Sequence, residues 1–315
     1  MRAVTIHDDH SLTVEDHPDP TPGSGECLVR VRAAGLNGAD IHQRAGNYPA
    51  PPGAPQDIPG LELAGEVIEC GRGATRFKPG DRVMSIVAGG GQAELAVVHE
   101  RVLMPIPGNL DWPQAGGTPE VFTTAHDALF TQAGLRAGER LLVHGAAGGV
   151  GTAAVQLGRA AGARVTATVR NPEAREKVAS LGVEVIAPEG FAEHGPFDVI
   201  LELVGAPNLH DNLMSLNIWG RIATIGIGGG AKAEINLGLL LGKRATIHGS
   251  TLRPRPLEEK AMTARAMERS VLPLLESGAV TVPIAETFPL ERAADAYDRF
   301  TAGGKFGKVV LAMFT

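Results

Sequence analysis

The chain has 315 residues, 43% of them hydrophobic and 20% charged, which is typical of a globular protein with one or two packed domains. Its formal net charge of −6 argues against a dedicated nucleic-acid-binding protein, which would carry a basic face. The longest membrane-like run, Leu237–Leu241, is far shorter than the roughly 20 apolar residues of a spanning helix, and the first residues lack the apolar run of a secretory signal. We therefore expect a cytoplasmic protein without a membrane segment.

The chain has only two cysteines, Cys27 and Cys70. Two thiols are too few for a four-cysteine zinc site, and a protein that is not exported should keep them reduced. We interpret both as small buried hydrophobic side chains.

Residues 1 to about 115 are rich in glycine, proline and short apolar runs. The runs Cys27–Val31 and Arg82–Val87 predict strands, and turn residues such as Lys78–Asp81 separate them closely. This region is predicted to be a small, mostly β domain.

From about residue 118 the pattern changes to strands that alternate with helices. We predict a helix at Val121–Gln132, a strand at Arg140–His144 and a helix at Val150–Ala161. Further buried strands are predicted at Arg164–Val169, Val183–Ala187, Asp198–Val204, Arg221–Ile227 and Ala245–Ser250. Such an alternation is typical of a parallel, doubly wound sheet of the α/β class.

The last segment reads as a long helix, Leu257–Ser277, then Thr281–Phe288, a helix at Leu290–Ala302 and a strand at Lys308–Met313.

A glycine-rich turn follows the strand Arg140–His144 and opens the next helix, which is where a phosphate-binding turn of a dinucleotide fold should lie. Gly148 would let the backbone approach a pyrophosphate, and Gly151 would let the helix pack closely on the sheet. The pattern is A-x-G-x-x-G, because Ala146 replaces the usual first glycine. The predicted contacts to the dinucleotide are Ala147, Gly148, Gly149, Val150 and Gly151, with Gly205 and Gly226 from later strand ends.

The end of the second strand of this region favours NADPH over NADH. A site for NADH places Asp or Glu about 20 residues past the glycines, to bind the ribose hydroxyl. Here Arg170 stands 19 residues after Gly151, and Arg175 follows on the next helix. A guanidinium can donate paired, charge-assisted hydrogen bonds to a 2′-phosphate, so both arginines are candidate ligands of that phosphate.

The whole arrangement resembles the medium-chain dehydrogenase/reductase superfamily. Its zinc enzymes carry a catalytic Cys and a Gly-His-Glu segment, and the matching segments here are Ala33–Asp40 and Gly60–Glu62. Asn37 stands in the cysteine position and Leu61 in the histidine position, so no catalytic metal is expected. The resemblance implies a GroES-like catalytic domain at 1–117 and 258–315, and a Rossmann domain that binds NADPH at 118–257.

Within this superfamily the chain is most similar to the zinc-free, zeta-crystallin-like quinone oxidoreductases, especially the tumour-suppressor-inducible branch. The most specific stretches are Asn37–Pro49, Gly89–Ala93, Leu103–Pro107 and Gly249–Arg253. The resemblance implies that Asn37, Asp40 and Tyr48 form the catalytic site. It also implies that the cofactor is contacted by Thr124, Ser250, Thr251, Leu252, Gly307 and Lys308, and that the protein is a homodimer joined at the strand region Ala245–Ser250.

Several alternatives stay open at this stage. Tyr48 is the best candidate to donate a hydrogen bond to a substrate oxygen, but it can equally be a structural residue of its proline-rich loop, and Asn37 and Asp40 can simply hold that loop. The lysine and tyrosine that hold the 2′-phosphate in bacterial relatives correspond to Ala174 and Pro188 here. His144 is interpreted as a half-buried histidine without an evident carboxylate partner.

Three functions fit the sequence. The first is NADPH-dependent reduction of quinones or other electron-poor small molecules, which needs no metal because the product phenolate is already delocalised. The second is reduction of an activated C=C bond in an enone or 2-alkenal. The third is a non-catalytic, NADPH-binding regulator or RNA-binding protein, against which the acidic balance argues.

Overall fold

The computed structural model describes residues 1–313 and divides into two compact units. Unit 1 comprises Met1–Thr123, Leu252–Gly303 and the described residues from Gly307 on, and unit 2 comprises Thr124–Thr251 and Gly304–Phe306. The divisions fall at 123/124 and 251/252, against the 117/118 and 257/258 expected from the sequence.

The first part of the chain is mostly strand, and its elements are short. The strands are β1 Arg2–Ile6, β2 Leu12–Asp16, β3 Glu26–Gly35, β4 Glu62–Cys70, β5 Arg82–Ile86, β6 Leu95–His99 and β7 Met104–Pro105. The helices are α1 Gly38–Arg44, α2 Trp112–Gly116 and α3 Pro119–His126, the last continued by a π-helical turn at Asp127–Gln132.

The central part alternates strands with helices. The strands are β8 Arg140–Val143, β9 Arg164–Thr168, β10 Glu184–Ile186, β11 Phe197–Glu202, β12 Leu216–Thr224 and β13 Thr246–Gly249. The helices are α4 Gly149–Ala160, α5 Pro172–Ala179, α6 Leu209–Ser215 and α7 Leu237–Lys243, with 3₁₀ turns at Phe191–His194 and Ala206–Asn208.

The C-terminal part returns to unit 1. Its elements are α8 Leu257–Ser270, α9 Leu272–Glu276, β14 Ile284–Pro289, a 3₁₀ turn at Leu290–Arg292, α10 Ala293–Thr301 and β15 Lys308–Ala312. The long helix predicted at Leu257–Ser277 is therefore two helices. Pro273 stands in the first turn of the second one, where its missing N–H costs nothing.

Unit 1 is built on a mixed sheet in the order β14-β15-β3-β4-β5-β7, with β6 paired to β3 and a separate antiparallel pair β1-β2. Strand β15 pairs antiparallel to the carboxyl end of β3, so the last described strand completes this sheet. Its core includes Val29, Leu63, Tyr297 and Leu311, all buried. The GroES-like, mostly β expectation is confirmed.

Unit 2 is a parallel sheet in the order β10-β9-β8-β11-β12-β13. Strand β8 lies between β9 and β11, so the chain reverses direction across the sheet at this point, and its crevice is the usual ligand position of this fold. The predicted doubly wound Rossmann sheet is confirmed. Between residues 1 and 313, no helix is both long and apolar enough to cross a bilayer.

Candidate dinucleotide and catalytic sites

The glycine-rich turn of unit 2 connects β8 to α4 as the sequence predicts. Gly148 is the N-cap of α4, and a Cβ placed on it would have only the Gly145 carbonyl oxygen nearby, at 3.6 Å. A Cβ on Gly151 would instead lie 2.5 Å from the Ala146 Cα, so only glycine lets the helix approach the turn this closely. The open backbone at Gly148 and the free N–H groups of a helix N-terminus form an anion-binding arrangement.

Arg170 lies on the turn that follows β9, and Arg175 lies on helix α5, which begins directly after this turn. Arg170 is exposed, and the Arg175 guanidinium donates from Nε to the Val169 carbonyl at 2.9 Å. The same turn is held by Asn171, whose side chain accepts the Glu173 N–H at the start of α5. The two predicted phosphate ligands therefore stand on consecutive elements, the turn at the carboxyl end of β9 and helix α5, and the Arg175 side chain reaches back to that turn.

Sequence reasoning did not assign Lys305 to unit 2. The segment Gly304–Phe306 belongs to this unit although it lies far along the chain, and a Cβ on Gly304 would be 3.5 Å from the Asn171 amide nitrogen. Lys305 follows directly, so its charge joins the same unit as Arg170. No local signal marks Lys305, because only the tertiary fold brings it there.

The loops that follow β11 and β12 press against each other at the carboxyl end of the sheet. A Cβ on Gly205 would meet the Gly230 oxygen at 2.6 Å, and one on Gly226 would meet the Leu203 oxygen at 2.3 Å. The two loops pack so closely that a side chain at either position would collide with backbone atoms. Gly205 and Gly226, both predicted cofactor residues, are therefore required to be glycine by this packing. A pocket of about 220 Å³ opens beside them, at the ends of β11 and β12.

Glu202, which the sequence analysis did not single out, holds the first of these loops. Its buried carboxylate accepts the Val204 N–H at 2.6 Å and the Gly205 N–H at 2.9 Å, and it also accepts the amides of Asn208 and Asn212. The sequence did offer a signal for this role, because Glu202 is a charged residue inside the otherwise apolar run Val199–Val204.

His144 lies at the end of β8 and is buried rather than half-buried. Its Nδ1 is 2.9 Å from the Thr168 hydroxyl and its Nε2 is 2.8 Å from Asn212 Oδ1. The expectation that it lacks a carboxylate partner was wrong, since Glu202 Oε2 lies 3.8 Å away. Burial lowers the pKa of His144, so the ring is neutral and ties together the ends of β8, β9 and β11.

Three further predicted cofactor residues, Thr124, Ser250 and Thr251, lie near the beginning and end of unit 2. Thr124 is on α3 and almost buried. Ser250 and then Thr251 follow the end of β13. The Ser250 hydroxyl donates to the buried Asp127 carboxylate at 3.0 Å. In unit 1, Leu252 is buried and Gly307 has a φ of +88°, and a Cβ on Gly307 would lie 2.1 Å from the Pro283 carbonyl oxygen.

Lys308 forms a buried ion pair at the centre of unit 1. Its Nζ donates to Glu62 Oε1 at 2.6 Å, to Asn37 Oδ1 at 2.7 Å and to the Leu36 carbonyl at 2.7 Å. Glu62 is fully buried, and Lys308 is 3% exposed. An ammonium has three protons, and all three are directed at these acceptors.

Asn37 and Asp40 lie next to this ion pair and form a capping box of α1. The Asn37 amide donates from Nδ2 to Glu62 Oε1 at 2.9 Å, so both ends of its side chain are engaged. The Asp40 carboxylate is fully buried and accepts the N–H groups of Asn37 and Gly60 at 2.8 and 3.2 Å. Burial raises the pKa of Asp40 to about 7.

Tyr48 is half-buried in the loop after α1, and its ring packs against the Arg253 side chain. The Arg253 guanidinium lies 5.0 Å from the centre of the Tyr48 ring and donates to the Tyr48 carbonyl at 3.0 Å. It also donates to Gln43 Oε1 at 2.6 Å and to the Ala88 carbonyl at 2.7 Å. Burial raises the pKa of Tyr48, so its hydroxyl keeps its proton and remains a hydrogen-bond donor.

The residues of unit 1 do not fit a catalytic zinc ion. Asn37 and the buried Leu61 are poor or impossible ligands, and Glu62, the remaining candidate, is already paired with the Lys308 ammonium. Across residues 1–313, no group of three or more His, Cys, Asp or Glu side chains is arranged to hold a metal ion.

A dinucleotide, in contrast, fits unit 2. The strand, glycine turn and helix N-terminus supply the backbone donors that a pyrophosphate needs, and the arginines beside them supply positive charge. A Rossmann-type sheet flanked in sequence by a GroES-like β unit defines a medium-chain dehydrogenase/reductase.

Comparison with known families agrees with this class. Residues 23–108 match the family described as "Alcohol dehydrogenase GroES-like domain", and residues 149–268 match "Zinc-binding dehydrogenase". The chain is 34% identical over 306 residues to a quinone oxidoreductase of Rattus norvegicus, covering 93% of this chain and 91% of that protein. It therefore belongs to the quinone oxidoreductase family, and is an NAD(P)H-dependent oxidoreductase.

Two further similarities bear on substrate and cofactor. The Escherichia coli quinone oxidoreductase, solved in complex with NADPH, has a TM-score of 0.88 and 25% identity, and the match covers 99% of this chain and 100% of that one. A polyketide synthase system protein, NorB of Streptomyces orinoci, is 34% identical over 92% of this chain but only 13% of its own length.

Proposed function

We propose that this protein reduces quinones with NADPH and without zinc. The observation that carries the proposal is the combination, within unit 2, of an open glycine turn with Arg170 on the turn after β9 and Arg175 on the following helix α5. The known relatives support quinones as the acceptor, since the similar protein from rat is a quinone oxidoreductase.

The choice of NADPH follows from charge. A bound nicotinamide supplies a hydride from its ring, while the protein chooses between nucleotides at the ribose. Arg170 is exposed and therefore available to a 2′-phosphate, and Arg175 adds charge to the same turn. The loop Val169–Asn171 carries no carboxylate that would repel this phosphate.

The protein side of the reaction needs no Lewis acid. Hydride addition to a quinone leaves a phenolate whose charge is delocalised over the ring, so the site needs only good positioning and a donor for one oxygen. Tyr48 is our candidate donor, because burial keeps its hydroxyl protonated and Arg253 holds its ring and backbone. Asn37 and Asp40 act as positioning residues, since their polar atoms are bonded within unit 1.

A second candidate is reduction of an activated C=C bond in an enone or 2-alkenal. The similarity to part of a polyketide synthase protein favours it. The two activities share hydride addition to a carbon conjugated with a carbonyl, so the same donor from Tyr48 serves both.

The cofactor proposal is tested by fluorescence titration of NADPH and NADH. We compare the wild type with Arg170→Ala and, as a matched control, Arg164→Ala, an exposed arginine at the opposite end of the same strand β9. Losing a charge-assisted contact of roughly 1.5–3 kcal/mol should weaken NADPH binding by about 10- to 100-fold in the first variant. NADH binding and the control should be unchanged, and an equal loss of both nucleotides would contradict the proposal.

The substrate proposal is tested by steady-state turnover of 1,2-naphthoquinone and of a 2-alkenal, with and without a zinc chelator. We expect chelator-insensitive turnover of the quinone and a reduced kcat in Tyr48→Phe. Oxidation of NADPH with the alkenal but with no quinone would replace the first candidate by the second. Tight NADPH binding with no turnover of any acceptor would favour a non-catalytic role.

We also propose that the protein is a homodimer joined through β13. This strand is the edge of the unit 2 sheet, and an unpaired edge is a template for a second strand. Nearby apolar side chains are exposed, with Trp219 at 64%, Leu241 at 76% and Ile247 at 37%. Light scattering at micromolar concentration should give twice the chain mass, and a monomer would reject the proposal.

A further inference from the structure

The two cysteines lie directly opposite each other on neighbouring strands of unit 1. Cys27 near the start of β3 pairs with Cys70 at the end of β4, and their Sγ atoms are 3.5 Å apart. Their 43-residue separation in the sequence hides this contact, and both thiols are free. The interpretation as two independent buried side chains therefore misses a cross-strand dithiol.

The geometry of the strand pair suits a disulfide. Opposite residues in antiparallel strands have Cα atoms roughly 4.5 to 5.5 Å apart, which lies within the range that disulfides span. The Sγ atoms already touch, so closing to a bond of about 2.05 Å requires only side-chain rotation.

We propose that Cys27 and Cys70 are a redox modification site, which a hydroperoxide converts into a reversible cross-strand disulfide. In the first step the Cys70 thiol takes one oxygen from hydrogen peroxide, becomes a sulfenic acid and releases water. In the second step the Cys27 sulfur attacks the Cys70 sulfur, the S–S bond forms, and the hydroxyl leaves with the Cys27 proton as a second water. The two sulfurs together lose two electrons, which the peroxide gains.

The order of these steps follows from accessibility. Cys27 is fully buried, whereas Cys70 is partly exposed and its thiol lies 3.3 Å from the Phe77 carbonyl. An oxidant from solvent therefore reaches Cys70 first, and Cys27 resolves the sulfenic acid. Burial raises the pKa of Cys27 to about 12, so this thiol is unreactive towards an oxidant in solvent, and its attack on the Cys70 sulfenic acid depends on the 3.5 Å distance between the two sulfurs.

The disulfide would crosslink the start of β3 to the end of β4, far from the opposite ends of these two strands. Strand β4 begins at Glu62, and β3 leads into Asn37, so the buried ion pair lies at the opposite end of both strands. Cys70 is eight positions after Glu62 along β4, which corresponds to about 26 Å. We therefore expect oxidation to stabilise the fold without changing turnover.

The test uses the full-length wild-type protein, treated with hydrogen peroxide and then denatured in the presence of a thiol-alkylating reagent. We expect a mass loss of two hydrogens, no alkylation of either cysteine and a crosslinked peptide that joins β3 to β4, all reversed by dithiothreitol. The urea midpoint of the oxidised protein should rise by about 1 M, because the crosslink closes a long loop of the unfolded chain.

The matched control is Cys70→Ser, which changes the partly exposed member and leaves the buried one in place. Peroxide should then leave Cys27 open to alkylation after denaturation and should not move the urea midpoint. Two free thiols in peroxide-treated wild type, added oxygen without a crosslink, or disulfide-linked dimers would each overturn the proposal. The proposal would also be overturned if peroxide raised the urea midpoint of Cys70→Ser as much as that of the wild type.

Discussion

Replacing Lys308 by methionine tests the buried ion pair of unit 1. The substitution keeps most of the aliphatic side chain but removes the ammonium that donates to Leu36, Asn37 and Glu62. The Glu62 carboxylate, which is fully buried, then retains only the Asn37 amide at 2.9 Å and the Glu120 N–H at 2.8 Å. An unpaired charge is left in the core.

The expected cost follows from this burial. Breaking a buried pair by removing one partner typically costs 3–5 kcal/mol, and the two remaining donors to Glu62 place the loss near the lower value, at about 3 kcal/mol. The double variant Lys308→Met with Glu62→Gln also removes the negative charge of Glu62. It should recover part of the lost free energy of unfolding and leave a loss of about 1–2 kcal/mol. The difference is the signature of an uncompensated carboxylate rather than of lost packing.

The assay is urea unfolding of the wild type, both single variants and the double variant, read as a double-mutant cycle. An exposed ion pair provides the control, since Arg101→Met breaks the contact with Glu258 at the surface and should leave the unfolding midpoint nearly unchanged. If Lys308→Met is no more destabilising than the double variant, the carboxylate is not held by this ammonium and our reasoning fails.

The same variants decide whether Lys308 contacts the dinucleotide, as the family resemblance implied. Its three protons are directed at acceptors within unit 1, so we expect the folded double variant to bind NADPH within about twofold of the wild type. A tenfold loss, equal to about 1.4 kcal/mol, would assign Lys308 to the cofactor after all.

Four further outcomes are expected. Because burial raises the pKa of Asp40 to about 7 from 3.8, the folded state holds this proton more tightly than the unfolded chain, and stability is lost as pH rises through that window. Between pH 5 and pH 8, the free energy of unfolding of the wild type should therefore fall by roughly 2–3 kcal/mol relative to that of Asp40→Asn. If urea unfolding shows a difference between the two proteins that does not change with pH, the raised pKa of Asp40 is contradicted. Gly148→Ala should fold normally but bind NADPH at least tenfold more weakly, since its Cβ meets open space where a pyrophosphate should approach. Gly151→Ala should instead lower the unfolding midpoint by itself, because its Cβ would collide with Ala146, and unchanged stability would show that α4 can shift. Glu202→Gln should loosen the loop at Gly205, which proteolysis or hydrogen exchange would detect as faster opening there, and unchanged exchange would contradict this role.

The features that the sequence determined are those with a local cause. The alternation of apolar runs with helical patterns predicts the Rossmann sheet, because each element carries its own periodicity. The glycine turn is recognised because strand, turn and helix follow one another within a few residues. Asn37 and Leu61 argue against zinc by their side-chain chemistry at the two positions where the family resemblance places metal ligands.

Long-range partners were decided by the tertiary structure. Lys308 meets Glu62 only because β15 returns to pair with β3, and 246 residues separate the two side chains. The contact between Cys27 and Cys70 depends on the register of β3 and β4, in which a shift of one residue would turn one sulfur to the other face. Register and strand order are set by the cooperative burial of a whole core, so no short stretch of sequence reveals them.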